Sequence, residues 1–326
     1  MLDRLLAGVV AVPFVMGAAA APTHPGHVEF SFGDPDIVES SGLVVQDGLF
    51  VTTNDSGDSG RVFTVDPASG QTVGVASWSD DPTDVEALAP AGRGAVWVGD
   101  IGDNTASRDS VQVTRVPVGR GDVTVDSPTY DLAYPAGPVN AETLLSDPTT
   151  GRLYVATKNV FGGTLYVAPT RLDPDGPNRL REVGPVLPIA TDGAFFPDGK
   201  HVILRDYSRA VVYTFPALEA VASFRLPDQD QGEGVAVAAD DAVFVSSEGE
   251  HEPVLRVPLP ADVRGAMPPA GTSQSPSSSP SSGTYSREGR ELPEQEYTDR
   301  PFWPWFLTAW VVLGGLVLLL RSLRRR

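Results

Sequence analysis

The sequence predicts an all-β protein, a five-bladed β-propeller, on three observations. Residues 27–262 contain short β-rich runs separated by Gly, Pro and Asp turns, and no long stretch shows helical periodicity. A similar segment recurs five times in this region, at the period of a four-stranded propeller blade, roughly 40 to 50 residues. The last repeat lacks one strand, and the beginning of the region supplies a run that fits it.

Each repeat begins with a polar residue at the start of an apolar strand. The five segments are "VESSGLVV" from position 38, "TDVEALAP" from 83, "VNAETLLS" from 139, "IATDGAFF" from 189 and "DQGEGVAV" from 230. The polar residues, called head residues below, are in turn Ser41, Glu86, Glu142, Asp192 and Glu233. A second and a third β-rich run follow each head residue, and the first four repeats also have a fourth run.

The missing strand of the fifth repeat is expected at the N-terminal end of the region. The run "HVEFSFGDP" at 27–35 has the pattern of "AVASFRLPD" at 220–228, which is the fourth run of the preceding repeat. Joining the two ends in this way closes the ring and leaves only short, protected sheet edges. A six-bladed ring, with one degenerate blade inside the long interval 86–142, is the structural alternative.

Segments outside the repeats predict a single-pass membrane protein. Residues 1–21 have the apolar run and small-residue end of a signal peptide, although Asp3 offsets Arg4 and an uncleaved N-terminal anchor stays open. Residues 302–320 carry no charge and have the length of about 20 residues that a transmembrane helix needs, and the basic tail 321–326 follows. We therefore expect an extracytoplasmic propeller, a Ser/Pro-rich linker at 263–300, and a cytoplasmic C-terminus at the cell membrane.

Composition excludes several classes of function. The chain has no cysteine, so neither a disulfide framework nor a cysteine-ligated zinc site exists. The formal net charge of −18 argues against nucleic acid or anionic lipid as the main partner. The same charge is compatible with a solvated extracellular domain, a cation site, and a cell-surface ligand or protein as partner.

The stretch "NDSGDSG" at 54–60 contains the tetrapeptide that surrounds the nucleophile of chymotrypsin-like proteases. Such an enzyme needs a His and an Asp brought to the Ser, and the only preceding histidines are His24 and His27, beside the predicted signal peptide. An EF-hand is excluded because, counted from Asp55, the twelfth position is Asp66 and not the required Glu. The stretch is therefore interpreted as a hairpin loop between two strands.

Acidic residues recur at two places that share one face of a propeller. The connection into each innermost strand and the loop between the second and third strands both emerge there. The expected metal ligands at these places are Glu86, Glu142, Asp192 and Glu233 from the head positions, and Asp55, Asp100, Asp103 and Asn104 from the loops. The expected ligand-binding residues around them are Asp84, Asn140, Lys158, Arg205, Asp206 and Glu248.

Carboxylates that converge on one channel repel each other unless a cation or hydrogen-bond donors neutralise them. Clustered hard oxygen ligands favour calcium over zinc, which prefers His or Cys. Two alternatives stay open at this point. The acids at the head positions can bind backbone amides of neighbouring blades and hold no metal, and Lys158, Arg205 and Arg209 can serve as internal counter-ions.

The strand starts "DVEAL", "NAETL" and "QGEGV" resemble those of extracytoplasmic propellers in the esterase-like phytase and gluconolactonase-like groups. The resemblance is limited to the propeller. It implies that Glu86, Glu142, Asp192 and Glu233 correspond to the channel acids of those groups. It also implies that Asn104 or Asn159 corresponds to an asparagine that ligates the metal.

Two classes of function follow from these observations. The first is a membrane-tethered extracellular binding module with an acidic, calcium-binding channel face. The second is a calcium-dependent hydrolase of a phosphoester or lactone, in which an acid such as Glu86 or Asp192 acts as general base. The fold alone does not decide between the two.

Overall fold

The protein is described by a computed structural model that covers residues 26–55, 57–78 and 82–267. This part of the chain is all-β and forms five sheets, each with four antiparallel strands at its centre. The five-bladed propeller expected from the repeats is therefore confirmed. The predicted signal peptide, transmembrane segment and basic tail, and most of the predicted linker, lie outside the described residues.

The blades follow one another along the chain, and each runs from its innermost strand outward. Blade 1 consists of β2(Ser40–Gln46), β3(Leu49–Asn54), β4(Arg61–Asp66) and β5(Gln71–Trp78). Blade 2 consists of β6(Val85–Pro90), β7(Ala95–Asp100), β8(Val111–Pro117) and β10(Thr129–Ala133). Blade 3 consists of β11(Ala141–Ser146), β12(Leu153–Thr157), β13(Gly163–Val167) and β15(Arg181–Val186). Blade 4 consists of β16(Asp192–Phe195), β17(His201–Arg205), β18(Arg209–Thr214) and β19(Ala220–Arg225). Blade 5 consists of β20(Gly232–Val237), β21(Val243–Ser247), β22(Pro253–Val257) and the N-terminal β1(His27–Ser31).

Strand β1 closes the ring, as the sequence predicts. It pairs antiparallel with β22, with His27 opposite Arg256 and Ser31 opposite Pro253. Phe30 is the one buried residue of this strand, and the other four residues are exposed. The ring of Phe30 packs edge-on against Phe50 of blade 1 at 4.9 Å between centroids. The first strand therefore joins the last blade to the first by side-chain packing as well as by backbone hydrogen bonds.

The interval 86–142 contains no sixth blade. Its short strand β9(Val123–Val125) pairs in parallel with β5 and widens blade 1 to five strands. Strand β10 then completes blade 2, whose outer edge is extended by β14(Asn178–Arg179), also in parallel. The six-bladed alternative is therefore wrong, because the extra residues of the interval are used at the outer edge of an existing blade.

The core of the domain is divided into five apolar clusters, and each cluster lies between two neighbouring blades. The innermost strands contact each other in the ring order β2, β6, β11, β16, β20 and back to β2. Leu43, Leu88 and Leu144 of these strands are almost completely buried. Because every cluster needs two blades, no blade of this ring has a complete core of its own.

The two ends of the described domain lie on the same face of the ring. The loop before β22 donates a backbone hydrogen bond to Val38, which precedes β2. Strand β22 runs from this face of the ring to the other face. Its antiparallel partner β1 therefore starts at that other face. There the chain continues from β22 into the short helix α1(Ala261–Ala266), so the packed domain extends a few residues beyond the expected boundary at 262. Met267, which follows α1, lies beside the turn formed by Asp240 and Asp241.

The same face holds the apolar end of the central channel. A cavity of about 410 Å³ opens there, and its lining is mainly apolar, with Leu43, Leu144 and Phe195 among the lining residues. In the ranges that the structure describes, no helix is both long and apolar enough to span a bilayer.

Phe30→Ala tests the closure of the ring. Loss of this buried ring from β1 is expected to lower the free energy of unfolding by about 3–5 kcal/mol, which lowers Tm by roughly 10 °C. Val28→Ala is the matched control, because Val28 lies on the same strand and is 60% exposed. Thermal unfolding of the two variants measures the difference. Equal melting of Phe30→Ala and Val28→Ala would show that β1 contributes little to the ring.

Candidate metal centre

Irregular strand pairing turns four of the five head residues toward the channel. The pairing of the two innermost strands shifts register at Ser41, Glu86 and Glu142, and again next to Glu233. A bulged residue has no direct partner across the ladder, and its side chain is re-aimed. In blade 4 the pairing is regular, and Asp192 lies directly opposite Arg205. The repeated pattern of a polar head before an apolar strand therefore corresponds to a bulge in four blades.

A second tier of polar residues lies above the bulges. The backbone N–H of Asp55 donates to the carbonyl of Glu39, that of Lys158 to Asn140, and that of Glu248 to Gln231, at 2.9 to 3.0 Å. These bonds join the second-to-third-strand loop of each blade to the connection into its innermost strand. The two places thus share one face, as expected. We call this end of the channel the acidic mouth, which consists of Asp55, Asp84, Glu86, Glu142, Lys158, Glu233 and Glu248.

Three carboxylates converge on one side of the acidic mouth. One oxygen each of Asp55, Asp84 and Glu86 lies within 4.8 Å of the other two. Glu86 is only 4% exposed, and its Oε2 accepts a hydrogen bond of 3.3 Å from Ser41 Oγ of blade 1. A Ca²⁺ ion with oxygen ligands at 2.3–2.6 Å spans separations of this size. The three side chains, two of which are partly exposed, therefore fit a cation that enters from the mouth.

A lysine–glutamate pair occupies the other side of the acidic mouth. Lys158 Nζ contacts both carboxylate oxygens of Glu142 and donates to Oε1 at 2.5 Å. Burial disfavours the charged ammonium, but the attraction of Glu142 outweighs burial and raises the pKa of Lys158. The ring of Tyr207 lies 5.0 Å from Nζ. Lys158 therefore stays charged and serves as the internal counter-ion that the sequence suggested.

Burial raises the pKa of two glutamates of the mouth, Glu86 and Glu233. Burial raises the pKa of Glu86 most strongly, and the charges of Glu142, Asp55 and Asp84 add to the effect. Burial and the charge of Glu142 raise the pKa of Glu233 to about 8. Glu233 Oε2 is also buried without a hydrogen-bond partner. One lysine does not neutralise this set of carboxylates, so a bound cation would relieve their repulsion.

Two residues predicted for the site are built into the wall between blades 4 and 5. Arg205 is fully buried and donates through Nη1 to the carbonyls of Gly234 at 3.0 Å and Ser246 at 3.3 Å. Asp192 is also fully buried, and its Oδ2 accepts from the backbone N–H of Val235 at 2.7 Å. The structure thus corrects the expectation that Arg205 faces a ligand and Asp192 a metal: both residues join blade 4 to blade 5.

Two acids of blade 2, Asp100 and Asp103, bind hydrogen-bond donors of the connections at this end of their own blade. Asp100 accepts from the backbone N–H groups of Thr83 and Asp84 and from Arg108, at 2.8 to 2.9 Å. Asp103 accepts from the N–H groups of Ser107 and Arg108, both at 2.9 Å. Neither is among the three carboxylates grouped above. Asp100 is instead a positioning residue, because it holds the backbone of Asp84 in place.

Three further predicted residues also make bonds within or between loops. The side-chain amide of Asn140 donates to Asn104 Oδ1 at 3.0 Å and accepts from the N–H of Asp103 at 2.8 Å. Asp206 accepts from the N–H groups of Ser208 and Arg209 within its own loop. The side-chain oxygen atoms of Asn104, Asn140 and Asp206 therefore accept hydrogen bonds that stabilise the loops of the mouth. Glu248 lies at its edge, where burial and the charges of Asp55 and Glu39 raise its pKa.

Sequence reasoning missed two features that shape the site. Arg108 lies six residues beyond the loop glycine, and no spacing indicates that its guanidinium returns to Asp100. Gly102 leaves room for Asp84, because a Cβ at position 102 would lie 2.3 Å from Asp84 Oδ2. The reason for a glycine at position 102 is thus a tertiary contact, which the sequence alone does not reveal.

Comparison with known proteins does not assign this chain to a family. No protein-family model and no curated protein matches this chain. The similar solved structures include a gluconolactonase from Xanthomonas campestris, at 13% identity, TM-score 0.43, 74% of this chain and 96% of the other. They also include the PQQ-bound aldose sugar dehydrogenase from Streptomyces coelicolor, at 12% identity, TM-score 0.43, and coverage of 73% and 99%. A nidogen/laminin complex matches at 17% identity, TM-score 0.42, and coverage of 66% and 74%.

The metal-free protein is expected to become more stable as pH falls from 8.5 to 5.5. Burial raises the pKa of Glu233 from its usual 4.5 to about 8, so the folded state holds a proton that the unfolded chain releases. The stabilisation is complete below the unfolded pKa and is lost as pH rises through about 8. Thermal unfolding in chelator should show a lower Tm at pH 8.5, and a smaller difference for Glu233→Gln. A Tm that rises with pH over this range would contradict the account.

Proposed function

We propose that the propeller is a binding module whose acidic mouth holds a calcium ion between Asp55, Asp84 and Glu86. The grouping of their carboxylate oxygens within 4.8 Å carries the proposal. Ca²⁺ takes six to eight oxygen ligands, so three side chains leave positions for water and for oxygen atoms of a ligand. The ion would act as the bridge between the domain and what it binds.

The surroundings of the three carboxylates favour calcium over other common metals. Zinc prefers imidazole or thiolate, and no histidine of the described ranges is grouped with these carboxylates: His27 lies on the outer strand β1. His201 is bonded to Asp198, and His251 to the carbonyl of Phe32. Magnesium requires near-octahedral geometry and gives up its water reluctantly. Two partly exposed aspartates beside one buried glutamate form an adaptable, all-oxygen set of the kind that calcium accepts.

We expect the propeller, and with it the acidic mouth, to lie outside the cell. The sequence predicts a transmembrane helix at 302–320 followed by a basic tail, which favours a cytoplasmic C-terminus. Protease added to intact cells should then release the propeller by cleavage within 268–300, and protection of the propeller would contradict this topology.

A hydrolase is the second candidate function, and a specific observation favours it. Glu233 has a pKa of about 8, close to physiological pH, and the burial of Glu142 likewise raises its pKa. Such a carboxylate is suited to take up or supply a proton beside a metal-bound phosphoester or lactone. Calcium-dependent turnover of p-nitrophenyl phosphate or a γ-lactone that is lost in Glu233→Gln would support the enzyme. Without such turnover, the binding module stands alone.

Calcium should stabilise the folded protein. A ligand that binds only the native state adds RT ln(1 + [L]/Kd), which is about 2.7 kcal/mol at a hundredfold excess over Kd and raises Tm by several degrees. The double variant Asp84→Asn, Glu86→Gln should lose this shift, because it removes two charged ligands at nearly constant shape. Differential scanning calorimetry with 1 mM calcium or with chelator measures the effect.

The matched control for this experiment is Asp175→Asn. Asp175 is an exposed acid on the outer connection of blade 3, so this variant should keep the full calcium shift. Magnesium at the same concentration should give a smaller shift than calcium. Identical melting of the unaltered protein with calcium and with chelator would refute the metal site and leave these acids with a structural role.

A further inference from the structure

Exposed apolar side chains collect beside the acidic mouth. In the ranges 26–55, 57–78 and 82–267, the large apolar side chains that are exposed are those of Val28, Val123, Val160, Phe161 and Tyr207. Val160 and Phe161 lie on the loop between β12 and β13, and Tyr207 lies on the loop between β17 and β18. Both loops emerge at the mouth. We call Val160, Phe161 and Tyr207 the apolar rim.

The loop of the rim has a defined shape, so the exposure of Phe161 is a feature of its conformation. Asn159 Oδ1 accepts a hydrogen bond of 2.9 Å from the N–H of Phe161. The carbonyl of Asn159 accepts from the N–H of Gly162 and from that of Ile189 in the connection to blade 4. These bonds fix the turn while the side chain of Phe161 stays 100% exposed. Adjacent apolar side chains held outward in this way mark a binding surface.

Lys158 connects the apolar rim to the metal side of the mouth. Its Nζ lies 5.0 Å from the centre of the Tyr207 ring and contacts Glu142. An ammonium has three N–H donors, and the Lys158 side chain is 20% exposed. With a divalent cation at Asp55, Asp84 and Glu86, two positive centres would therefore face the same opening, with the apolar rim beside one of them.

We propose that the ligand is an anion with an apolar body, and specifically a carboxylate. Its oxygens complete the coordination of the cation and accept a hydrogen bond from Lys158, while its apolar body covers Phe161 and Tyr207. The cation half of this arrangement rests on the proposed function, whereas the apolar rim and Lys158 are independent of it. A cationic ligand fits less well, because it competes with the metal for the same carboxylates.

Three small probes separate the parts of the proposal. 3-Phenylpropionate has both the carboxylate and the apolar body, acetate lacks the body, and 3-phenylpropanol lacks the charge. With the full-length protein in saturating calcium, isothermal titration calorimetry should show at least tenfold tighter binding of 3-phenylpropionate than of the other two. Its affinity should fall about tenfold when calcium is replaced by chelator.

Phe161→Ser tests the apolar rim directly. This side chain is fully exposed, so its replacement should leave the fold and the calcium-induced shift in Tm unchanged. It should nevertheless lower the affinity for 3-phenylpropionate about tenfold and bring it close to that of acetate. Val123→Ser is the matched control, because Val123 is exposed on the outer strand β9 and should leave the affinity unchanged.

The outcomes separate this inference from the proposed function. A normal calcium shift together with equal, weak binding of all three probes would overturn the ligand class alone, as would an unaltered affinity in Phe161→Ser. Tighter binding of phenethylamine in chelator than of 3-phenylpropionate in calcium would overturn it in favour of a cationic ligand. A peptide ending in Phe, with a free or an amidated C-terminus, distinguishes a polypeptide carboxylate from that of a small acid.

Discussion

The pairing of β1 with β22 is the constraint on which the rest of the molecule depends. The five apolar clusters each lie between two blades, so every blade relies on both neighbours for its core. Only a closed ring fulfils this condition for the first and the last blade. At the junction of the last and first blades, Phe30 of β1 packs against Phe50 of blade 1. Strand β1 makes this contact through its side chain, because its backbone pairs with blade 5. At the next junction, Ser41 of blade 1 donates a hydrogen bond to Glu86 of blade 2.

Closure of the ring brings acidic side chains together as well as apolar ones. The bulges of blades 2, 3 and 5 turn Glu86, Glu142 and Glu233 into one poorly solvated channel, where burial raises the pKa of each carboxyl group. The two sides of the mouth differ in their charge. Lys158 neutralises Glu142 on one side, and Asp55 and Asp84 add further negative charge on the other side. Because of that asymmetry, the three grouped carboxylates Asp55, Asp84 and Glu86 lie in one mouth with an internal lysine–glutamate pair.

Blade 4 departs from the other blades for a related reason. Its innermost pair has no bulge, and Asp192 and Arg205 face each other inside the wall. Arg205 donates to carbonyl groups of blade 5, and Asp192 accepts from a backbone N–H of the same blade. The polar head of this repeat is thereby used for cohesion between blades. The mouth is thus formed mainly by blades 1, 2, 3 and 5.

The sequence predicts the ring and its closure because both depend on local patterns. Alternation marks the strands, and the repeated heads mark the innermost positions, so β1 was placed correctly from its pattern alone. Strands β9 and β14 are three and two residues long and too short to show a period. The roles of the acids depend on contacts that no spacing reveals. Asp55 and Asp100 each lie 14 residues after a head residue, yet the strand pairing makes Asn54 the counterpart of Asp100. Asn54 and Asp100 each accept hydrogen bonds from two backbone N–H groups of the connection into the innermost strand, whereas Asp55 belongs to the group with Asp84 and Glu86.

The central claim is that Asp55, Asp84 and Glu86 form one cation site. Anomalous diffraction from crystals of the protein soaked in manganese or a lanthanide tests it most directly, because these ions replace calcium and are located without reference to function. The account predicts a strong anomalous peak within about 2.6 Å of oxygen atoms of all three side chains. No peak at these carboxylates in fully soaked crystals, or peaks only at other places, would contradict it.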